Sequence, residues 1–135
     1  MGAWDVGPLD NDGATDFLAE WQSTEDFDHL DELLTEVLDL EDSYVEIELG
    51  QSVVAGGYIL AALVNESQEE LFEEDEDSED WAMGLPEPDV ALLTKLVKCL
   101  RRILKEESEI RENWEETDDY EAWKASVTEI IADLT

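Results

Sequence analysis

The sequence predicts an all-α protein, a single compact domain of five to six helices with an acidic loop. Three observations lead there. Apolar residues recur at three- and four-residue intervals along most of the chain. They make up 43% of the 135 residues, enough for one core in a chain of ordinary domain length. No internal repeat and no linker-like stretch divides the sequence, so residues 1–135 read as one helical domain.

The opening is rich in turn formers, with Gly2, Gly7, Pro8, Asp10 and Asn11. Asn11 or Asp12 is placed to cap a short helix carrying Phe17, Leu18 and Trp21. A second helix is expected over 26–40, where Phe27, Leu30, Leu33, Leu34, Val37 and Leu38 share a stripe and most other positions are acidic. A third is expected over 43–65, with Ile47, Val54, Tyr58 and Ala61 near one stripe. Gly56 and Gly57 fall inside it. Each costs roughly 1 kcal/mol relative to alanine in a helix interior, so the pair points to close packing or a bend. A strand over 44–49 competes for the start of this element, because Tyr44-Val45-Glu46-Ile47-Glu48-Leu49 partly alternates.

Ten of the fifteen residues from 66 to 80 are acidic, with only Leu71 and Phe72 as apolar anchors. The stretch 66–88 therefore reads as an acidic segment, either a mobile loop or a fraying helix end. A strong helix follows over 89–106. Val90, Leu93, Leu96, Val97, Leu100, Ile103 and Leu104 form its buried stripe, and Lys95, Lys98, Arg101, Arg102 and Lys105 its rim. Bases toward its end suit the helix dipole. A short helical turn over 108–114 and a last helix over 120–134, with Trp123, Val127, Ile130, Ile131 and Leu134 inward, complete the set. The tryptophans, Trp4, Trp21, Trp81, Trp114 and Trp123, fall at element boundaries or on apolar stripes, which favours core packing over an interface.

Charge is the strongest functional signal. The chain has 39 acidic and 7 basic residues, a formal net charge of −32. Residues 1–94 carry 28 acids and no Lys or Arg, whereas 95–135 carry 11 acids and all 7 bases, a formal −4. Such a field repels nucleic acid and anionic membranes and attracts basic proteins at long range. The N-terminus has no basic start or apolar h-region, no apolar run reaches a membrane span, and the lone Cys99 has no disulfide partner, so a cytoplasmic setting is expected.

Nothing in the pattern asks for catalysis. His29, the only histidine, lies among Asp28, Asp31 and Glu32 and reads as a solvated helix residue. Cys99 reads as a buried structural cysteine. No phosphate-binding glycine loop is present, and Asp10-Asn11-Asp12-Gly13 fails the calcium-loop register because Pro8 would occupy the first ligand position. No cofactor and no metal site is expected.

The polyanionic surface is what can act. Carboxylates four residues apart on a helix lie roughly 6 Å apart along its axis, a spacing comparable to phosphates on a nucleic-acid strand. An acidic inhibitor or immunity-type protein is the expected function. It would neutralise a basic, nucleic-acid-handling protein by displaying a nucleic-acid-like surface. The expected contact residues are Glu69, Glu70, Glu73, Glu74, Asp75, Glu76, Asp77, Glu79 and Asp80, with the outer face of 26–42 as second choice. Two other readings stand beside it: a salt-adapted housekeeping protein without mimicry, and an enzyme gathering carboxylates around a metal.

Met1-Gly2-Ala3-Trp4, Gly7-Pro8-Leu9-Asp10-Asn11-Asp12, Ala14, Asp16 and Phe17 together resemble the start of a bacterial family, domain-of-unknown-function family 4259. Leu100, Arg102, Ile103, the run Glu107-Ser108-Glu109-Ile110, Trp114 and Trp123 are similar to its far end. The likeness covers most of the chain outside 66–80, and departs at Asp5, Val6 and in its severe acidity. The resemblance implies a small standalone protein, and some members look like immunity proteins encoded near toxins. It implies no reaction. The motif residues themselves read as structural, with Trp4 in the core, Gly7-Pro8 a turn and Asn11 or Asp12 a cap.

Overall fold

The computed structural model describes residues 12–24, 26–41, 43–65 and 76–135. Among them lie seven helices: α1 (Asp12–Trp21), α2 (Asp28–Asp39), α3 (Ile47–Val64), α4 (Glu76–Met83), α5 (Val90–Ile103), α6 (Glu109–Glu115) and α7 (Tyr120–Leu134). The all-α expectation holds. The count exceeds five to six because part of the acidic segment, Glu76–Met83, is helical. Trp4, the Gly7-Pro8 turn and the Asn11 cap lie outside the described residues.

Helix α3 organises the molecule. It packs against every other described helix, and Gly50, Ser52, Val53, Val54, Ala55, Gly56, Gly57, Ile59 and Leu60 are all buried along it. The single stripe expected from sequence is therefore replaced by burial all round, as a core helix requires. Its length and composition would suffice to cross a membrane, but 61% of it is buried inside the fold.

Small residues let the neighbours approach. A Cβ added at Gly50 would lie 2.6 Å from Cγ2 and 3.0 Å from Cβ of Ile110, and one at Gly57 3.1 Å from Ile130 Cγ2 and Leu100 Cδ1. Close packing, not a bend, is thus what the glycines serve. Ile110 is β-branched, so its Cβ cannot rotate away from an added methyl. Gly50→Ala is expected to destabilise by about 1–2 kcal/mol, overpacking outweighing the gain of roughly 1 kcal/mol in helix propensity. Urea denaturation checks this; a more stable variant would refute the contact.

The other helices close around α3. In α2, Leu30, Leu34 and Val37 point inward, and in α5 Leu92, Leu96, Val97, Cys99, Leu100 and Ile103 do. Asp89 caps α5, its carboxylate accepting from Leu92 N at 2.8 Å. Cys99 is fully buried, its Sγ donating to Leu34 O at 3.4 Å. Burial pushes its thiol up to about 12, with Lys95 pulling weakly the other way. A thiol held that far from ionisation suits a structural role. Trp21 and Trp123 are core residues at 0% and 2% exposure. Trp21 meets Trp81 edge to face at 4.9 Å, and their indole N–H groups donate to Asp26 O and Thr24 O, each at 2.8 Å. Trp114 and Trp123 stack at 6.3 Å.

Helix α3 begins at Ile47, four residues later than expected. The reason is a clasp formed with the α5–α6 connection. Val45 pairs with Ser108 in an isolated parallel bridge, Val45 N donating to Glu107 O at 2.8 Å and Glu109 N to Val45 O at 2.9 Å. Glu109 Oε1 accepts from Ile47 N at 2.9 Å and so caps a helix start that has no side-chain cap of its own. The strand tendency of 44–49 is expressed only at that bridge. Arg102 completes the clasp. Its Nε donates to Glu41 O at 2.9 Å, Nη1 to Glu106 O at 3.0 Å, and Nη2 to Ser43 O at 2.7 Å and Glu107 O at 3.4 Å. Among the described residues, Glu41 (φ 51°) and Glu107 (φ 61°) are the non-glycine residues held in the left-handed region. Their carbonyls are both gripped by this one guanidinium, which compensates a conformation that L-residues avoid.

Tyr44 closes the outside of the clasp, its hydroxyl donating to Glu112 Oε1 at 2.7 Å. That hydrogen bond, then desolvation and the charges of Glu112, Glu109 and Glu107, push the phenol up to about 12 from 10.0. The fold therefore favours the neutral phenol. Its contribution is fully present below pH 10 and is lost as pH rises through about 12. Stability measured by urea denaturation is expected to fall across that window, and Tyr44→Phe to fall less. Equal losses in both proteins would exclude Tyr44 as the titrating group.

Candidate acidic interface

The contact residues expected from sequence fall only partly within the described structure. Glu69, Glu70, Glu73, Glu74 and Asp75 lie outside it. Glu76 opens α4, where Asp77 and Asp80 are exposed and Glu79 is half-buried. Trp81 and the buried Ala82 anchor this helix, the former against Trp21.

The second-choice surface gains more from the fold. A cleft of about 310 Å³ opens where α1, α2 and α3 meet. Its rim carries five carboxylates: Asp16 and Glu20 from α1, Glu32 and Glu36 from α2, and Glu48 from α3. Phe17, Leu33 and Leu49 supply its apolar surface, and no Lys or Arg lines it. In α1 and α2 the two acids stand four residues apart, one turn above the other on one face. The buried faces of α1 and α2 pack on α3 and on each other, which brings these acids to one rim. Among the described residues, no group of three or more His, Cys, Asp or Glu side chains is arranged to hold a metal ion.

His29 corrects the sequence reading. It is half-buried and lines the cleft rather than standing in solvent. Its ring stacks on Phe17 at 5.2 Å with 20° between planes, and Nε2 lies 3.2 Å from Glu20 Oε2, off the line of a hydrogen bond. The sequence around His29 is acidic, but the contact that matters comes from another helix.

Ion pairs among the described residues are few. Lys95 Nζ reaches Asp31 Oδ1 at 2.8 Å and Thr35 Oγ1 at 2.9 Å, tying α5 to α2. Arg111 Nε faces Glu115 Oε1 at 3.2 Å. Neither pair touches the cleft, so apart from His29 beside Glu20 no basic side chain faces its rim carboxylates. What the arrangement can do chemically is receive a cation with an aliphatic stem: stem on the apolar surface, charge among the carboxylates.

No curated protein and no solved structure matches the chain. A family model does, over residues 2–126, and its description is a domain of unknown function, DUF4259. The far-end residues that carried the resemblance have structural work in this fold. Arg102, Ser108 and Glu109 build the clasp, Ile110 fills the space beside Gly50, and Trp114 and Trp123 stack. With the match spanning nearly the whole chain, the protein belongs to the DUF4259 family.

Proposed function

We propose that this protein is an acidic binder that captures a basic, nucleic-acid-handling protein, acting as an inhibitor or immunity-type protein. The observation that carries the reading is the cleft between α1, α2 and α3, where five carboxylates from three helices surround an apolar surface without a compensating Lys or Arg. Lysine and arginine side chains of a nucleic-acid-binding surface have the matching chemistry, an aliphatic stem ending in a cation. The exposed Asp77 and Asp80 of α4 add further anionic surface. Its field steers a basic partner in from a distance, and salt weakens the encounter.

The test is direct binding to any basic protein encoded beside its gene, followed by stopped-flow mixing at about 0.1 M salt, where charges are screened beyond about 10 Å. The triple change Glu32→Gln, Glu36→Gln, Glu48→Gln is expected to slow association by about tenfold while leaving the circular dichroism spectrum intact. Equal association rates for the two proteins, or no binding at low salt, would remove the reading. Salt adaptation without a partner is the second reading. It is favoured by the absence of any Lys or Arg before Lys95.

A further inference from the structure

A second hollow, of about 580 Å³, lies where α5 runs into α6. Its lining brings together Arg102, Lys105 and Arg111 with Leu104, Glu106 and Glu107. Five of the seven cations of the chain fall within residues 95–105, with no acid between them. Arg101, Arg102 and Lys105 stand at this end of α5, the first two in its last turn.

We propose that the hollow binds one small oxyanion, the shared chemistry of a phosphate or a carboxylate group. Arg102 spends its hydrogen bonds on four main-chain carbonyls and makes no ion pair with any described carboxylate. Its charge is thus fixed in place without a direct carboxylate partner among the described residues, although Glu106 and Glu107 line the same hollow. Arg111 is fixed as well, Nη1 donating to Leu104 O at 3.2 Å and Nε facing Glu115. Its Nη2 group has no hydrogen-bond partner among the described residues. Lys105 is exposed and has no partner among the described residues, so its ammonium can swing onto a ligand. Two pinned guanidinium groups beside one mobile ammonium form a preorganised oxyanion receptor. The net charge of −32 argues against a polyanion here, because a nucleic acid would meet the repulsion of the whole molecule. A single small anion meets chiefly the local charge, where three cations outnumber Glu106 and Glu107, since the rest is screened within about 8 Å at physiological salt.

The experiment is a titration of the full chain with inorganic phosphate, and separately with acetate, followed by ¹⁵N–¹H NMR at ionic strength held constant with KCl. Saturable shifts are expected at the amides of 105–111 and at the Arg111 side chain, with half-saturation on the order of 1–10 mM. Lys105→Gln touches no contact of the fold and is expected to weaken the response by about tenfold, one hydrogen-bonded charge being worth roughly that factor. Arg111→Gln is expected to remove it, while Lys98→Gln, outside the hollow, leaves it unchanged. Saturation by phosphate alone assigns the site to phosphate groups, and saturation by both anions to oxyanions in general. Linear shifts without saturation, or the same titration in wild type and Lys105→Gln, would overturn the proposal.

Discussion

Arg102→Ala is expected to cost about 3–5 kcal/mol, a large share of the 5–15 kcal/mol that holds a domain of this size together. The guanidinium binds the carbonyls of Glu41, Ser43, Glu106 and Glu107, which belong to two loops distant in sequence. A hydrogen bond from a charged donor is worth about 1.5–3 kcal/mol, and water replaces part of it because the side chain is half-exposed. The loss does not stop at those bonds. Without the guanidinium, the left-handed Glu41 and Glu107 lose the group that holds their carbonyls, and the bridge at Val45 and Ser108 loosens with them. Glu109 then caps α3 from a displaced loop, so the damage reaches the central helix. Arg102→Lys is expected to recover little, because one ammonium cannot span four acceptors arranged around a planar fork. Urea denaturation of both variants reads the effect directly. A change below about 1 kcal/mol in Arg102→Ala would mean that the two loops hold their shape without the clasp.

The clasp also marks where sequence reasoning stopped. Helices α2, α5 and α7 announce themselves because each buries one stripe and exposes the rest, which is the pattern periodicity detects. Helix α3 was legible as a helix but not as a central one, since its neighbours cover nearly every side and leave chiefly Glu48 and Val64 exposed. The late start at Ile47 follows from carbonyls and amides of Glu107, Ser108 and Glu109, and backbone groups have no sequence signature. Arg102 was legible as a motif residue and as a rim cation, but its acceptors are carbonyls and leave no mark at positions 41 and 43. The cleft is an intermediate case. The pairs Asp16 and Glu20, and Glu32 and Glu36, each show the spacing that puts two acids on one face. That both faces meet Glu48 beside an apolar surface needs the packing of three helices. His29 was misread for the same reason, its stacking partner Phe17 lying on another helix.

Raised KCl is expected to stabilise the protein, with the chain already folded at about 0.1 M and its melting temperature climbing by about 10 °C toward 1 M. The driving force is screening, since the Debye length shrinks from about 10 Å to about 3 Å over that range. Residues 1–94 carry 28 acids and no Lys or Arg, and the pairs 16/20 and 32/36 each place like charges one turn apart. Each such pair costs about 0.2–0.5 kcal/mol, and the cleft adds longer-range repulsion among its five carboxylates. Relief of about 3 kcal/mol in all corresponds to roughly 10 °C at 2–4 °C per kcal/mol. Against this stands a core of ordinary depth: Trp21, Leu30, Leu34, Ile59, Leu60, Leu96, Leu100 and Ile103 are at 0% exposure. A fully buried aliphatic or aromatic side chain contributes about 1.5–3 kcal/mol, so repulsion at the surface trims the stability without abolishing it. Salt adaptation makes the opposite forecast, a chain that unfolds near 0.1 M KCl and needs molar salt to fold. Thermal melts followed by circular dichroism across the KCl series separate the two. A protein unfolded at 0.1 M would also end the capture reading, because the cleft exists only where α1, α2 and α3 are packed and electrostatic steering acts only where salt is low.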